Sequence, residues 1–177
     1  MERPTLGARG GALALEIRPF RARDSIVELT ELLHWAFASL GERGLNYTAV
    51  DQTPEVTANR ISRGTCFVAV IGDVLVGTVI ARASDPTSRC CWFARPEVAS
   101  AGQLGVSPAY QRQRIGSMLM QTAEDWARAA GFREIAVDTA EPALELIEFY
   151  RRRSYRHVGV VQWSGKVYRS AVMSRFL

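Results

Sequence analysis

The residue types best suited to chemistry gather in one stretch, Leu104-Gly105-Val106-Ser107-Pro108-Ala109-Tyr110-Gln111-Arg112-Gln113-Arg114-Ile115-Gly116-Ser117. Its pattern predicts a strand, a turn and then the start of a helix. The first N–H groups of a helix have no acceptor within it, and the helix dipole adds partial positive charge at the same place. A phosphate or pyrophosphate is a natural occupant there. Gly116 would let such a ligand come close to the backbone, and Arg112 and Arg114 add formal charge. An ordinary strand–turn–helix with surface arginines accounts for the same residues, so the residues alone leave both readings open. A second basic run, Arg151-Arg152-Arg153, is either a solvated face or a neighbour of the same anion.

Periodicity supplies the elements that must position this stretch. Leu15 and Ile17, with Leu13 before them, alternate as a strand that ends at Pro19. Asp24 or Ser25 caps a helix with Ile26, Leu29, Leu33, Ala36, Phe37 and Leu40 on one face, stopped by Gly41 and Gly44. Thr53 and Pro54 open a second, short helix reaching Arg63. Two apolar runs, 66–71 and 74–81, flank Gly72-Asp73, a strong hairpin signal. After a loop with Pro86 and Pro96, a strand over 102–107 halts at Pro108. The helix predicted over 115–130 carries Ile115, Met118, Leu119, Ala123, Trp126, Ala127 and Ala130 on one face and stops at Gly131. A strand over 135–139 leads to a helix opening at Glu141-Pro142, with Ala143, Leu146, Ile147 and Tyr150 aligned. Strands over 156–162 and 167–176 close the chain across Ser164-Gly165. Residues 1–12 read as a loose leader and 13–177 as one domain, of α/β or α+β class with a mixed sheet.

Composition sets the outer limits. A chain of 177 residues, 47% of them hydrophobic and 23% charged, makes a real core and is not disordered. It shows neither an apolar run long enough to span a bilayer nor a signal peptide. Three cysteines, Cys66, Cys90 and Cys91, form neither a disulfide framework nor a zinc pattern, and reduced thiols in a cytoplasm are expected. His34 beside Trp35 reads as packing, with His157 too distant in sequence to suggest a metal site. The net charge of +4 would suit anionic partners, but the excess is small and dispersed, so neither nucleic acid nor a membrane is implied as a partner.

Two segments also resemble a known family. Gln111-Arg112-Gln113-Arg114-Ile115-Gly116, with Val106 to Tyr110 before it and Ser117-Met118-Leu119 after it, is similar to the Q/R-x-x-G-x-G/A motif of the GNAT superfamily of N-acetyltransferases. Phe149-Tyr150-Arg151-Arg152-Arg153-Ser154-Tyr155 resembles its second signature, an aromatic residue and tyrosine followed, after three residues, by glycine and another aromatic. The resemblance spans nearly the whole chain. It departs at Arg114 and Ser154, which stand where the family has glycine, and at Ala143, which replaces an asparagine that bonds the cofactor in many relatives. If Arg114 needs positive φ, the strain is of order 1 kcal/mol.

The resemblance implies a mostly antiparallel mixed sheet of about six to seven strands flanked by about four helices. It implies acetyl-CoA as co-substrate and transfer of its acetyl group to a primary amine of a small molecule, peptide or protein. Gln111, Arg112, Gln113, Arg114, Ile115, Gly116 and Ser117 would hold the pyrophosphate, and Leu104, Gly105 and Val106 the pantetheine arm. Tyr150 matches the tyrosine that protonates the coenzyme A sulfur, though it also fits a packing face. Asp138 matches a glutamate base in the amino-terminal acetyltransferase branch, though it also fits a capping role, and Glu97 is a weaker candidate. Substrate selection would fall to residues 40–63 and the last hairpin, where Asp51 and Glu55 offer negative charge. A homodimer through the C-terminal strands is open. The competing function is a non-catalytic acyl-CoA-binding sensor or interaction module, for which Arg114, Ser154 and Ala143 speak.

Overall fold

A computed structural model describes residues 14–177; the leader at 1–12 and Leu13 lie outside them. The chain runs β1 (Leu15–Pro19), α1 (Ile26–Glu42), a 3-10 turn (Thr48–Val50), α2 (Pro54–Ile61), β2 (Thr65–Ile71), β3 (Val74–Arg82) and β4 (Val98–Val106). A second 3-10 turn (Pro108–Tyr110) precedes α3 (Ile115–Ala129), β5 (Glu134–Ala140), α4 (Leu144–Arg152), β6 (Arg156–Val161) and β7 (Ser170–Phe176). The seven strands form one sheet in the order β1-β2-β3-β4-β5-β7-β6, antiparallel except where β4 meets β5. The mixed, mostly antiparallel sheet and four α-helices are those expected from the sequence.

Local chemistry explains most of the boundaries. The Ser25 hydroxyl accepts the Glu28 N–H at 3.2 Å and Thr53 accepts that of Val56 at 3.4 Å, so both predicted caps form. Gly72, at φ +61°, turns the β2–β3 hairpin, and Gly131, at φ +85°, follows the end of α3. α1, however, continues through Gly41 to Glu42, because there glycine serves close packing. A Cβ on Gly41 would stand 2.7 Å from a Val50 methyl.

Apolar side chains cover both faces of the sheet. Cys66, Val68 and Val70 of β2 point to Leu29 and Leu32 of α1, whereas Phe67 and Ala69 point to Ile115, Leu119 and Met120 of α3. Gly105 and Gly77 let the helices come close: a Cβ would lie 3.1 Å from that of Ala36 in α1, or 2.9 Å from Leu119 in α3. No helix among the described residues is long and apolar enough to cross a membrane.

One irregularity shapes the centre of the sheet. β4 pairs with β5 only at Val98, Ala99 and Ser100, against Glu134, Ile135 and Ala136. Gln103 then takes φ +51°, and the register with β3 steps from Ile80–Gly102 to Thr78–Gly105. Such a bulge adds one residue to β4 and bends it. From Ala101 onward β4 has no strand partner on its β5 side, and a cleft opens between the two strands.

Candidate active site

The turn into α3 presents a row of backbone N–H groups to solvent. Arg112 and Arg114 both take left-handed backbone, at φ +60° and +64°, the conformation glycine holds most easily. Among the described residues, the N–H groups from Arg112 to Ser117 have no backbone or side-chain acceptor. At Gly116 a Cβ would make only ordinary contacts, 3.7 Å from Val106 and 3.9 Å from Phe149. Packing therefore does not require glycine, and the space beside its backbone is open to a ligand. Gln111 Nε2 donates to the Val106 carbonyl at 3.1 Å, tying the turn to the end of β4. Arg112, Gln113 and Arg114 are exposed, while Ile115, the first residue of α3, is buried against the sheet and offers only its N–H.

Ser154 has a different explanation. It lies just past α4 at φ +66°; its N–H donates to Arg151 O at 2.9 Å, and the Tyr155 N–H donates to Tyr150 O at 3.1 Å. Those two bonds and the Tyr150–Tyr155 contact, with ring centroids 5.5 Å apart, are the helix-ending arrangement that normally favours glycine. The arginine run before it divides. Arg151 and Arg152 both pair with Glu148, whereas Arg153 reaches inward to Glu124, a fully buried carboxylate that Arg175 and the Tyr155 hydroxyl also bond. Their partners are carboxylates, and a structural role accounts for all three. Ala143 is buried in an apolar cluster with Leu33, Phe37 and Tyr168.

The cleft between β4 and β5 holds a cavity of about 630 Å³. Tyr150 of α4, Asp138 and Thr139 of β5, and Gly102, Gln103 and Leu104 of β4 line it, together with Tyr47, Trp163 and Tyr168 from loops. Trp163 Nε1 donates to Asp138 Oδ2 at 2.8 Å, fixing that carboxylate while leaving Oδ1 to other partners. Tyr47 accepts the Ala140 N–H and shares a hydrogen bond with Thr139 Oγ1, each at 2.8 Å. Burial raises the pKa of the Tyr150 phenol well above the ordinary value, and the negative charge of Asp138 raises it further. Burial likewise raises those of Tyr47 and Tyr168, so all three phenols stay protonated.

The structure thus brings Tyr150, Asp138 and Leu104 to one cavity and places Gly105 and Val106 on the same unpaired stretch of β4. It separates others. Glu97 lies at the opposite end of β4, bound by Arg95 at 2.8 Å and outside the cavity lining. Asp51 and Glu55 are exposed and also outside that lining. His34 bonds the Gln52 carbonyl at 2.8 Å, in keeping with a packing role. Burial pushes the Cys66 thiol up to about 11, which leaves it a poor nucleophile. Sequence reasoning did not single out Tyr47, Arg60, Trp163 and Tyr168, although they fall in residues 40–63 and the last hairpin, and Arg82 lies outside both segments. They come from segments far apart in the chain and have no motif in common.

Comparisons with known proteins agree with this geometry. Residues 27–155 match the family model described as Acetyltransferase (GNAT) family. Among curated proteins no sequence matches the chain. Solved structures with the same fold include a GNAT family acetyltransferase from Elizabethkingia anophelis with acetyl-CoA bound, at 15% identity and TM-score 0.66, covering 92% of this chain and 98% of that one. Ard1 from Thermoplasma volcanium is similar at 17% identity and TM-score 0.70, covering 93% and 98% of the two chains. The ribosomal-protein-S18-alanine N-acetyltransferase from Escherichia coli follows at 12% identity and TM-score 0.68, covering 92% and 94%. With a splayed β4–β5 pair, an open cradle of amides before α3 and a family match over most of its length, the chain belongs to the acetyltransferase (GNAT) family.

Proposed function

We propose that the protein transfers the acetyl group of acetyl-CoA to a primary amine of a small molecule, peptide or protein by direct attack. The observation that carries this reading is that Tyr150 and Asp138, from different elements, face one cavity beside the unpaired edge of β4. In this reading the amides from Arg112 to Ser117, with the charges of Arg112 and Arg114, bind the pyrophosphate. Leu104, Gly105 and Val106 pair with the pantetheine amides as a further strand would. Holding both substrates side by side removes the need for a covalent enzyme intermediate.

Asp138 takes the proton of the ammonium group, directly or through water, and the free amine attacks the thioester carbonyl. The C–N bond forms, the C–S bond breaks and Tyr150 gives its phenolic proton to the departing sulfur. The two steps help each other. The charge of Asp138 is second to burial among the causes that make Tyr150 a weak acid. Once Asp138 has taken a proton, that contribution disappears and Tyr150 gives up its own proton more readily.

Release of free thiol from acetyl-CoA across an amine panel, with the product mass confirmed, tests the reading. Tyr150→Phe should lower kcat about 100-fold and leave the Kd for acetyl-CoA unchanged. Because the phenol is shifted upward, Tyr150 should cause no loss of kcat as the solution is made alkaline from about pH 7 to 10. Saturable acetyl-CoA binding without turnover of any amine would favour the sensor instead.

A further inference from the structure

The same cavity contains two guanidinium groups that form no ion pair among the described residues, although the charge of Asp138 acts favourably on both. Arg60 projects from α2 and Arg82 from the end of β3, both half-buried and both lining the cavity that Asp138 and Tyr150 face. Among the described residues Arg82 Nη2 donates only to the Arg60 backbone carbonyl, at 3.4 Å. Arg60 Nε is buried with no hydrogen-bond partner among the described residues. Burial lowers the pKa of both, that of Arg82 to about 10, and the charge of Arg60 lowers Arg82 further. Other arginines withdrawn from water meet carboxylates: Arg18 pairs with Asp24 at 2.7 Å, and Arg153 and Arg175 with Glu124 at 2.9 and 3.2 Å. An unpaired buried charge is strongly unfavourable, so an isolated pair of like charges points to a partner that arrives from outside.

The coenzyme's pyrophosphate is poorly placed to be that partner. Arg82 pairs with Ser100 across the β3–β4 ladder, whereas the cradle follows Val106, six residues further along β4. That is about 20 Å of strand. The other charges around the cavity leave the positive excess in place. Arg89 and Lys166 join Arg60 and Arg82, and only two carboxylates among the described lining residues face these four cations: Asp85, bonded to Thr87, and Asp138, bonded to Trp163. From this arrangement we infer that the acceptor is a small amine carrying an oxyanion, a carboxylate or a phosphate, which Arg60 and Arg82 hold while its amino group faces Asp138 and Tyr150. The inference rests on the transferase reading and narrows its substrate class. Guanidinium forks suit both oxyanions, and the cavity is large enough for an amino acid or an amino phosphate.

Matched acceptors test it: amino acids against their carboxamides, and phosphoethanolamine against ethanolamine, each with acetyl-CoA. The anionic member of at least one pair should show the higher kcat/KM by roughly 10- to 100-fold, an advantage that shrinks with added salt. The pair that responds distinguishes carboxylate from phosphate. Arg82→Met and Arg60→Gln should erase that advantage while leaving turnover of the neutral member within about threefold. Without ligand, Arg82→Met should melt no lower than the wild type, because it removes an uncompensated charge. Equal or better turnover of the neutral members, or an anionic preference that survives both substitutions, would overturn the inference. If no amine is turned over, the transferase reading fails and binding decides the anion site. A rise in Tm with glutamate or inorganic phosphate that is lost in Arg60→Gln and Arg82→Met would support it, and no rise, or equal rises in all three proteins, would refute it.

Discussion

The start of α3 and the end of α4 contain the same sequence anomaly with opposite meanings. Each places a residue with a side chain, Arg114 or Ser154, at a left-handed position that glycine adopts most easily. Behind Ser154 the backbone is closed: the N–H groups of Ser154 and Tyr155 bond back to α4, and Arg153 ties the turn to Glu124. Around Arg114 it is open, with a row of amides lacking acceptors among the described residues. A glycine position in a motif can therefore mark either a chain that must turn or a ligand that must approach. Counting where the hydrogen bonds go distinguishes them.

The sharpest way to break this contrast is to fill the open end. Gly116→Glu should weaken acetyl-CoA about 100-fold in titration calorimetry, by bulk and by repulsion of phosphate. Its Tm should hold or rise slightly, because the protein leaves room for the side chain and a carboxylate suits a helix start. Unchanged affinity would mean the cradle holds no phosphate. Arg114→Gly follows, with a smaller effect. Relief of strain should stabilise the fold by about 1 kcal/mol. Loss of its charge should nevertheless weaken acetyl-CoA about tenfold, less so in high salt, since an exposed cation at a helix start is unfavourable until an anion binds. Tighter binding by the glycine variant would show that strain outweighs charge. Smallest of all is Ser154→Gly, which should gain about 1 kcal/mol of stability while acetyl-CoA affinity and kcat stay at wild-type values. A change in affinity there would erase the distinction between the two ends.

What could be read from the sequence follows the distance over which each feature is encoded. Caps at Ser25 and Thr53, the Gly72-Asp73 turn and the stop at Gly131 are local, and the sequence shows them plainly. The row of amides before α3 is also contiguous, so the sequence shows which residues compose it. β4 was harder. It begins at Val98, four residues before the expected start, because Ala99, Ser100 and Ala101 are too small to signal a strand. The bulge at Gln103 also breaks its alternation. At the other end of the chain, residues 167–169 read as strand but belong to the loop that precedes β7 at Ser170. α4 starts at Leu144, later than Glu141-Pro142 suggests, after a turn in which the Ala143 N–H bonds the Ala140 carbonyl. The cavity was hardest, since Tyr47 meets Thr139 and Trp163 meets Asp138 only through tertiary structure. Nothing in the residues around Arg60 and Arg82 signals that their side chains share one cavity, which only the tertiary structure brings about.

The short β4–β5 contact has a mechanical consequence. Two half-sheets, each a continuous antiparallel ladder, are stitched together by only three residue pairs. Such a seam concentrates compliance in the middle of the molecule while both flanks stay stiff. A bound molecule that bridges the open stretch would act as extra stitching. Amides along 101–106 should then exchange with solvent more slowly when it is present, and the halves should part at a higher temperature. On the proposed function, the place of least cohesion is also the place of work, and occupancy should become part of what keeps the sheet whole.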